Sequence, residues 1–367
     1  MAGEAWSVAF GPLEDLARDR SVTDVAVTCD GRVWADRGAG MREHRPRLPF
    51  RSPQVVRDYA VQLCAQLGRR LDDARPIADA SSVEGVRVHA VIAPIVPQGA
   101  AVSIRFPDRS KASLAALCAA GMFPSSWLPV LAGLARRRAT VLVTGGTGAG
   151  KTTLLKALLG ECDAGERLVI VEEVRELGGL AHPDTVPLVT REANVEGAGA
   201  VGLPALVKAT LRMRPDRVIL GECRGEEIAD LLRAFNSGHH GGMTTMHADG
   251  VDRVPSRLVS LGLLAGLSPQ ALAMLAEGAF DVVLHVERDA RGRRIAQIGR
   301  LVSGDRGLAG LPLASWDGTG RPSLAPAWDG FARRWASPTL RMAARTPRAA
   351  PSAYAPRPSR AERGGLR

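Results

Sequence analysis

Short apolar runs broken by turn residues open the chain. Residues 22–27 and 32–35 predict two strands joined at Cys29-Asp30-Gly31, an Asp-Gly hairpin signal. Residues 53–67 predict a helix with Val56, Ala60 and Leu63 on one face. Residues 86–93 and 101–106 predict a second strand pair around the turn-rich segment 94–99. Residues 1–108 therefore predict a small α+β domain, and residues 109–124 a linker with a short helix at 112–120 closed by Gly121. From 125 to 302 the pattern changes. Apolar runs at 139–143, 168–171, 218–220, 243–246 and 281–286 alternate with helical stretches, which predicts an α/β domain with a largely parallel, helix-covered sheet. Each run leads into a polar or glycine-rich loop, where such sheets place their sites. Beyond Ser303 the composition shifts to Gly, Pro, Ala and Arg, which predicts a hairpin extension over 303–337 and a disordered basic tail over 338–367. Trp316-Asp317-Gly318 and Trp328-Asp329-Gly330 recur, but two copies do not make a repeat architecture.

Composition narrows the class. A chain of 367 residues with 46% hydrophobic content suits two domains, or two and a tail. No apolar run approaches the roughly eighteen residues of a membrane-spanning helix. Residues 1–20 lack a signal-peptide core, so a cytoplasmic protein is expected. The five cysteines are scattered and form no C-x-x-C, which reads as reduced thiols. The net charge of +10 invites a nucleic-acid reading, but residues 331–367 hold nine Arg, one Glu and no Lys or Asp. That segment carries +8 and the remaining chain only +2. The high charge describes a tail, whose plain reading is a solvated end. Contact with anionic lipid or nucleic acid is the alternative.

The chemistry centres on Gly145-Gly146-Thr147-Gly148-Ala149-Gly150-Lys151-Thr152, a full G-x-x-x-x-G-K-T loop. A predicted strand precedes it. A helix with Leu154/Leu158 and Leu155/Leu159 at four-residue spacing follows and stops at Gly160. Gly145, Gly148 and Gly150 allow the main-chain N–H groups to close on phosphate oxygens. Lys151 can bridge β- and γ-phosphates, and Thr152 can hold Mg²⁺. The run 168–171 ends in Glu172-Glu173, whose carboxylates can orient water at a γ-phosphate or form a charged surface turn. Arg217-Val218-Ile219-Leu220-Gly221-Glu222 has the shape of a Walker B element, holding Mg²⁺ through water or polarising the nucleophile. Gly238-His239-His240-Gly241-Gly242-Met243-Thr244-Thr245-Met246-His247 fits no familiar zinc spacing, and His247 suits a phosphate sensor at a strand end. Arg87 and Arg105 sit among apolar neighbours on predicted strands. Arg105 there either pairs with an internal acid or reaches another site, where it can stabilise a γ-phosphate.

The order of these boxes resembles the secretion traffic ATPases of type II secretion, type IV pili, Tad/Flp pili and conjugative type IV secretion. Leu211-Arg212-Met213-Arg214-Pro215-Asp216-Arg217 leading into Gly221-Glu222-Cys223-Arg224-Gly225 carries the likeness, with Asn236-Ser237-Gly238-His239 leading to Thr244-Thr245-Met246-His247-Ala248. The segments look most like the Tad/Flp pilus branch, over roughly residues 20–302. The resemblance implies a RecA-like P-loop domain, a smaller α+β N-terminal domain closing over nucleotide, and a ring homo-hexamer. It implies ATP and Mg²⁺ as ligands, and an inner-membrane platform protein as partner at the cytoplasmic face of the membrane. It implies Glu172, Glu222, His247 and Arg105 as catalytic residues. Residues from Gly145 to Thr152 with Thr153, Arg87 and Arg191 would bind nucleotide, and Thr152 and Glu222 would hold Mg²⁺, the latter through water. Departures are Glu173 where the family has Asp, Asp249 where it has Asn, and His240 and Gly242 where Asp and Ser are usual. They keep a nucleotide-gated scaffold with little turnover open, beside a conjugative DNA-transfer ATPase.

Overall fold

Alternating valines make the first sheet. The computed structural model describes residues 6–107, 112–191, 193, 198–304 and 307–336. Its amino-terminal sheet has six strands: β1 (Asp24–Val27), β2 (Val33–Asp36), β3 (Met41–His44), β4 (Ile77–Ser81), β5 (Arg87–Ile92) and β6 (Ala100–Arg105). They run antiparallel in the order β3-β2-β1-β6-β5-β4. Val25, Val27, Val88, Ile92, Val102 and Ile104 face a buried core. Two helices, α1 (Glu14–Arg18) and α2 (Pro53–Gln66), bury side chains in the same core. In α2, the Ser52 hydroxyl caps the Val55 N–H and Pro53 opens the first turn, while Val56, Ala60 and Leu63 meet the sheet. The opposite sheet face carries Arg87 and Arg105, which are cross-strand partners.

A second sheet of nine strands follows. Its members are β7 (Val141–Thr144), β8 (Leu168–Glu172), β9 (Thr185–Val189), β10 (Arg217–Leu220), β11 (Met243–Met246), β12 (Val282–Asp289), β13 (Gly292–Gly304), β14 (Gly307–Ser315) and β15 (Ser323–Leu324). The order is β15-β14-β13-β12-β7-β11-β10-β8-β9. From β12 to β9 every pairing is parallel, and from β12 to β15 every pairing is antiparallel. β7, β8, β10 and β11 are buried throughout, as continuous apolar strands are when helices cover both faces. The helices are α3 (Leu114–Ala119), α4 (Leu128–Arg136), α5 (Lys151–Leu159), α6 (Leu203–Thr210), α7 (Glu227–Asn236), α8 (Val254–Leu264), α9 (Pro269–Ala276) and α10 (Trp328–Trp335). Among the described residues no single helix is long and apolar enough to cross a membrane. All five cysteines are free thiols.

Parallel register puts the carboxyl ends of β7, β11, β10 and β8 side by side. The loops after these strands therefore share one edge of the domain, the usual location of an α/β site.

Three differences from the sequence reading have physical causes. β3, β4 and β9 were not predicted, because Met41-Arg42-Glu43-His44 has no apolar alternation and Pro187 interrupts the third. The hairpin assigned beyond residue 303 begins earlier: β13 starts at Gly292 and runs through 302, continuing the nine-stranded sheet. Leu114, Met122 and Phe123, in the stretch read as a linker, are buried in the core around β7 and α5. The two Trp-Asp-Gly segments have a packing role. Trp316 and Trp328 both lie on Trp127, at ring centroid distances of 6.4 and 5.9 Å. The tail reading for 338–367 lies outside the described residues.

Candidate nucleotide site

β7 ends at Thr144, and the glycine loop turns directly into α5. Gly145 has φ +149°, and a Cβ there would sit 2.2 Å from the Val286 carbonyl oxygen of β12. Only glycine lets the loop pass this close to the neighbouring strand. Gly150 has φ +101° and starts α5, whose N-terminal N–H groups face the loop.

The Lys151 side chain is buried and folded back over the loop. Its Nζ donates to the carbonyl oxygens of Gly145 and Gly146, each at 3.0 Å, and lies 3.4 Å from His247 Nε2. Burial pushes the Lys151 ammonium below the ordinary lysine range, while Glu222 pulls the other way. Burial, then the Lys151 charge, also lowers the His247 pKa. Its imidazole is thus held toward the neutral form.

Glu222 follows β10 and points at the same place. Its Oε2 accepts from Arg224 Nε at 2.8 Å and from Arg224 Nη2. Its Oε1 is buried 2.8 Å from His247 Nε2, but lacks hydrogen-bond geometry there, and among the described residues it has no hydrogen-bond partner. The loop after β10 is fixed by Glu227, which accepts the N–H groups of Arg224 and Gly225, and by the Thr245 hydroxyl on the Gly221 carbonyl.

Glu172 is placed differently from its expected role. Its Oε1 accepts the N–H groups of Glu176 and Leu177, both at 2.9 Å, and so closes the loop after β8. Burial raises its pKa against these two bonds. The carboxylate from this loop that reaches the glycine loop belongs to Glu176. Its Oε2 accepts from the Thr152 hydroxyl at 3.1 Å, and its Oε1 pairs with Arg87 Nη2 of the six-stranded sheet. Sequence reading missed Glu176. The available signal was a third acid four residues after Glu172, on the loop expected to face phosphate. Arg224, within the Gly221–Gly225 motif, likewise has a role that its place in the sequence does not reveal.

The structure thus brings Lys151, Thr152, Glu222 and His247 together, and connects Arg87 through Glu176. It does not bring Arg105 or Arg191 to the loop. Arg105 Nε lies 3.5 Å from Asp24 on the neighbouring strand, the internal acid that its pattern had left open. Arg191 pairs through its main chain with Val201, and its side chain lies against Gly199.

Mg²⁺ fits the donors present. Thr152 Oγ1 and Glu222 Oε1, which accepts no hydrogen bond among the described residues, are hard oxygen ligands, and magnesium is commonly held by few protein groups with phosphates and water completing its shell. Zinc does not fit: among the described residues no group of three His, Cys, Asp or Glu side chains could hold a metal.

The type II/IV secretion system protein family matches residues 7–285. This chain belongs to that family. A Mycobacterium tuberculosis (strain H37Rv) protein named for conjugal transfer is 46% identical over 290 residues, covering 77% of this chain and 82% of the relative. The conjugal transfer protein TrbB of Rhizobium radiobacter is 30% identical over 285 residues, covering 76% of this chain and 84% of the relative. The pilus retraction motor PilT with bound ADP shares the fold, with a TM-score of 0.55 at 16% identity over 88% of this chain and 86% of that one.

In this type II/IV secretion system protein the two sheets touch at the same acidic loop. Gly85, at φ +94° in the turn between β4 and β5, has no room for a Cβ, which would lie 2.0 Å from the Arg175 carbonyl oxygen. Arg175 Nη1 in turn donates to the Val83 carbonyl at 3.0 Å. The Arg87–Glu176 pair is about one-third exposed, and so contributes at most about 1 kcal/mol. Glu176→Gln is expected to raise hydrogen exchange in residues 82–87 and 174–177 roughly twofold to fivefold, leaving β7 and β10 unchanged. Unchanged exchange in both segments would show that the pair does not hold the contact.

Proposed function

We propose that the chain is an ATPase motor of a secretion or pilus machine, and that nucleotide turnover is transmitted to the six-stranded sheet through Glu176. The observation that carries this reading is a single carboxylate shared by the glycine-loop hydroxyl of Thr152 and by Arg87 of the other sheet. An event that moves the Glu176 carboxylate is therefore felt at both Thr152 and Arg87.

The residues divide the work as follows. Lys151 exchanges the Gly145 and Gly146 carbonyls for β- and γ-phosphate oxygens, becoming the main positive charge on the transferring group. Mg²⁺, held by Thr152 and through water by Glu222, would neutralise charge on the same phosphates. Arg224 fixes one oxygen of Glu222, which leaves Oε1 to orient a water and accept its proton as that water's oxygen attacks the γ-phosphorus and the bond to the β-phosphate oxygen breaks. His247, between Lys151 and Glu222, responds to the lysine's displacement. Arg87, once free of Glu176, can turn to the γ-phosphate. Arg105, its cross-strand partner, stays on Asp24, which offsets the repulsion between the two guanidinium groups, and the Glu172 carboxylate keeps the acidic loop in shape. The resemblance supports a homo-hexameric ring at the cytoplasmic face of the inner membrane, with a platform protein of a Tad/Flp-type or related system as its load.

A second reading makes DNA transfer the load. It is favoured by relatives named for conjugal transfer and by the +8 charge of residues 331–367. Stimulation of hydrolysis by DNA, lost as salt rises and on removal of 338–367, would select it.

The deciding experiment is phosphate release by the full chain with ATP. Turnover is expected to require Mg²⁺ and to stop with EDTA. Glu222→Gln is expected to slow it about a hundredfold or more while ATP still binds. Wild-type protein that binds ATP without turnover would leave the scaffold reading, and wild-type rates in Glu222→Gln would remove the proposed mechanism.

A further inference from the structure

The hairpin formed by β12 and β13 carries charge that the mechanism above does not use. Register places Glu287 opposite Arg294 and Arg288 opposite Arg293. Successive residues of a strand point to opposite faces, so the hairpin has two charged faces. One is neutralised: Arg294 pairs with Glu287 at 2.6 Å and with Asp289, and Arg291 pairs with Asp289 at 3.5 Å. The other face holds Arg288 and Arg293 side by side, and among the described residues neither has an ion-pair partner. Like charges directly opposite on paired strands are destabilising unless an anion lies between or beside them.

This face is turned to the glycine loop. Arg293 Nε donates to the Gly148 carbonyl at 3.0 Å. A Cβ built on Gly148 would lie 3.5 Å from Arg288 Nη1, and one built on Gly150 would lie 3.1 Å from Arg293 Cδ. The hairpin is anchored there by the Ile295 N–H on the Met122 carbonyl at 2.8 Å, and Met122 Cε itself lies 3.5 Å from the Gly150 Cβ position. Among the described residues Arg293 uses only Nε in a hydrogen bond, which leaves its Nη hydrogens uncommitted. Planar guanidinium groups with free donors are well suited to phosphate oxygens.

We infer that Arg288 and Arg293 form a phosphate clamp for the nucleoside di- or triphosphate held in the glycine loop, acting from the side opposite Glu222 and His247. The inference rests on the nucleotide reading of the loop and adds two binding residues that none of the sequence boxes contains. The pair positions the nucleotide and touches no reacting atom. Its loss is therefore expected in KM more than in kcat.

The test uses the full chain, titrated with ADP and assayed with Mg-ATP. Arg288→Gln/Arg293→Gln is expected to weaken ADP binding about tenfold to a hundredfold, the range for lost hydrogen bonds to a charged group. KM for ATP is expected to rise in parallel with kcat changing less than about threefold. Arg293→Lys alone keeps the charge and is expected to lose less than Arg293→Gln. Arg291→Gln, at the hairpin tip in an exposed pair, is the control and is expected to bind as wild type. A melting midpoint equal to wild type shows that the double variant is folded. ADP affinity within twofold of wild type in a folded double variant, with binding lost in Lys151→Ala, would overturn the clamp and leave the nucleotide reading intact. Absence of ADP binding in wild type would remove the nucleotide reading itself. A defect seen only at concentrations where the chain self-associates would overturn the clamp by assigning the pair to a carboxylate on a neighbouring copy.

Discussion

Lys151→Ala is expected to reduce ATP turnover by at least about a hundredfold to a thousandfold, the range for removing one preorganised charge-stabilising group. The structure gives two reasons for so large an effect. Among the described residues the ammonium is the one cation bonded to the carbonyls of Gly145 and Gly146. It also stands between the loop and His247, so its removal disconnects the phosphate site from the histidine and Glu222. Arg288 and Arg293 reach the loop at Gly148, away from the Gly145 and Gly146 carbonyls, and cannot take its place. Lys151→Arg is not expected to rescue, because a planar guanidinium cannot occupy the space that a compact ammonium fills between two carbonyls. Single-turnover hydrolysis at saturating Mg-ATP separates loss of chemistry from loss of affinity. A Lys151→Ala rate within tenfold of wild type would mean that the loop is not the catalytic centre.

The largest stability effect is expected at Arg217, far from that chemistry. Its side chain has 0% relative exposure. Nε and Nη2 donate to the two oxygens of Glu166 at 2.7 and 3.1 Å, Nη2 also to the Ala135 carbonyl at 2.7 Å, and Nη1 to the Gly241 carbonyl at 3.4 Å. One guanidinium therefore ties the end of α4, the turn before β8 and the turn before β11 to the start of β10. Truncation to alanine leaves Glu166 charged and largely buried with its main partner gone, which costs about 3–5 kcal/mol. The melting midpoint is expected to fall by about 10 °C. Replacing both Arg217 and Glu166 by methionine is expected to cost much less than the sum of the single changes, because it removes the stranded charge with the pair. A midpoint for Arg217→Ala within about 2 °C of wild type would show that the network is not what holds these turns.

The parts legible in the sequence were those written in local patterns. Buried parallel strands appear as unbroken apolar runs, and β11 falls on residues 243–246 as read, because a strand covered on both faces needs nothing but apolar and small side chains. The glycine loop, Glu222 and His247 were legible because each sits just after such a run, and parallel register then gathers strand ends automatically. What stayed hidden depends on partners distant in sequence. Glu176 acquires its place from Thr152 and from Arg87, which lies 89 residues away. Glu172 looks like a site acid by position, yet two loop N–H groups take one of its oxygens. The hairpin arginines 288, 291, 293 and 294 look like a scattered surface cluster, and only register sorts them into a neutralised face and a positive one. Arg105 shows the same limit from the other side, since the pattern marked it as unusual without saying that Asp24 would face it.

The edges of the nine-stranded sheet have a consequence for crowding. Leu168 N–H bonds the Asp184 carbonyl, and Thr190 N–H bonds the Glu172 carbonyl, so the even-numbered residues of β9 turn their polar groups to β8. Pro187 therefore presents its ring to the free edge, where it withholds a donor from any incoming strand. The other edge ends in β15, only two residues long. Unprotected edges let chains polymerise through their sheets. With a proline at one margin and a stub at the other, identical copies held close together can join through their faces without growing into a continuous fibre.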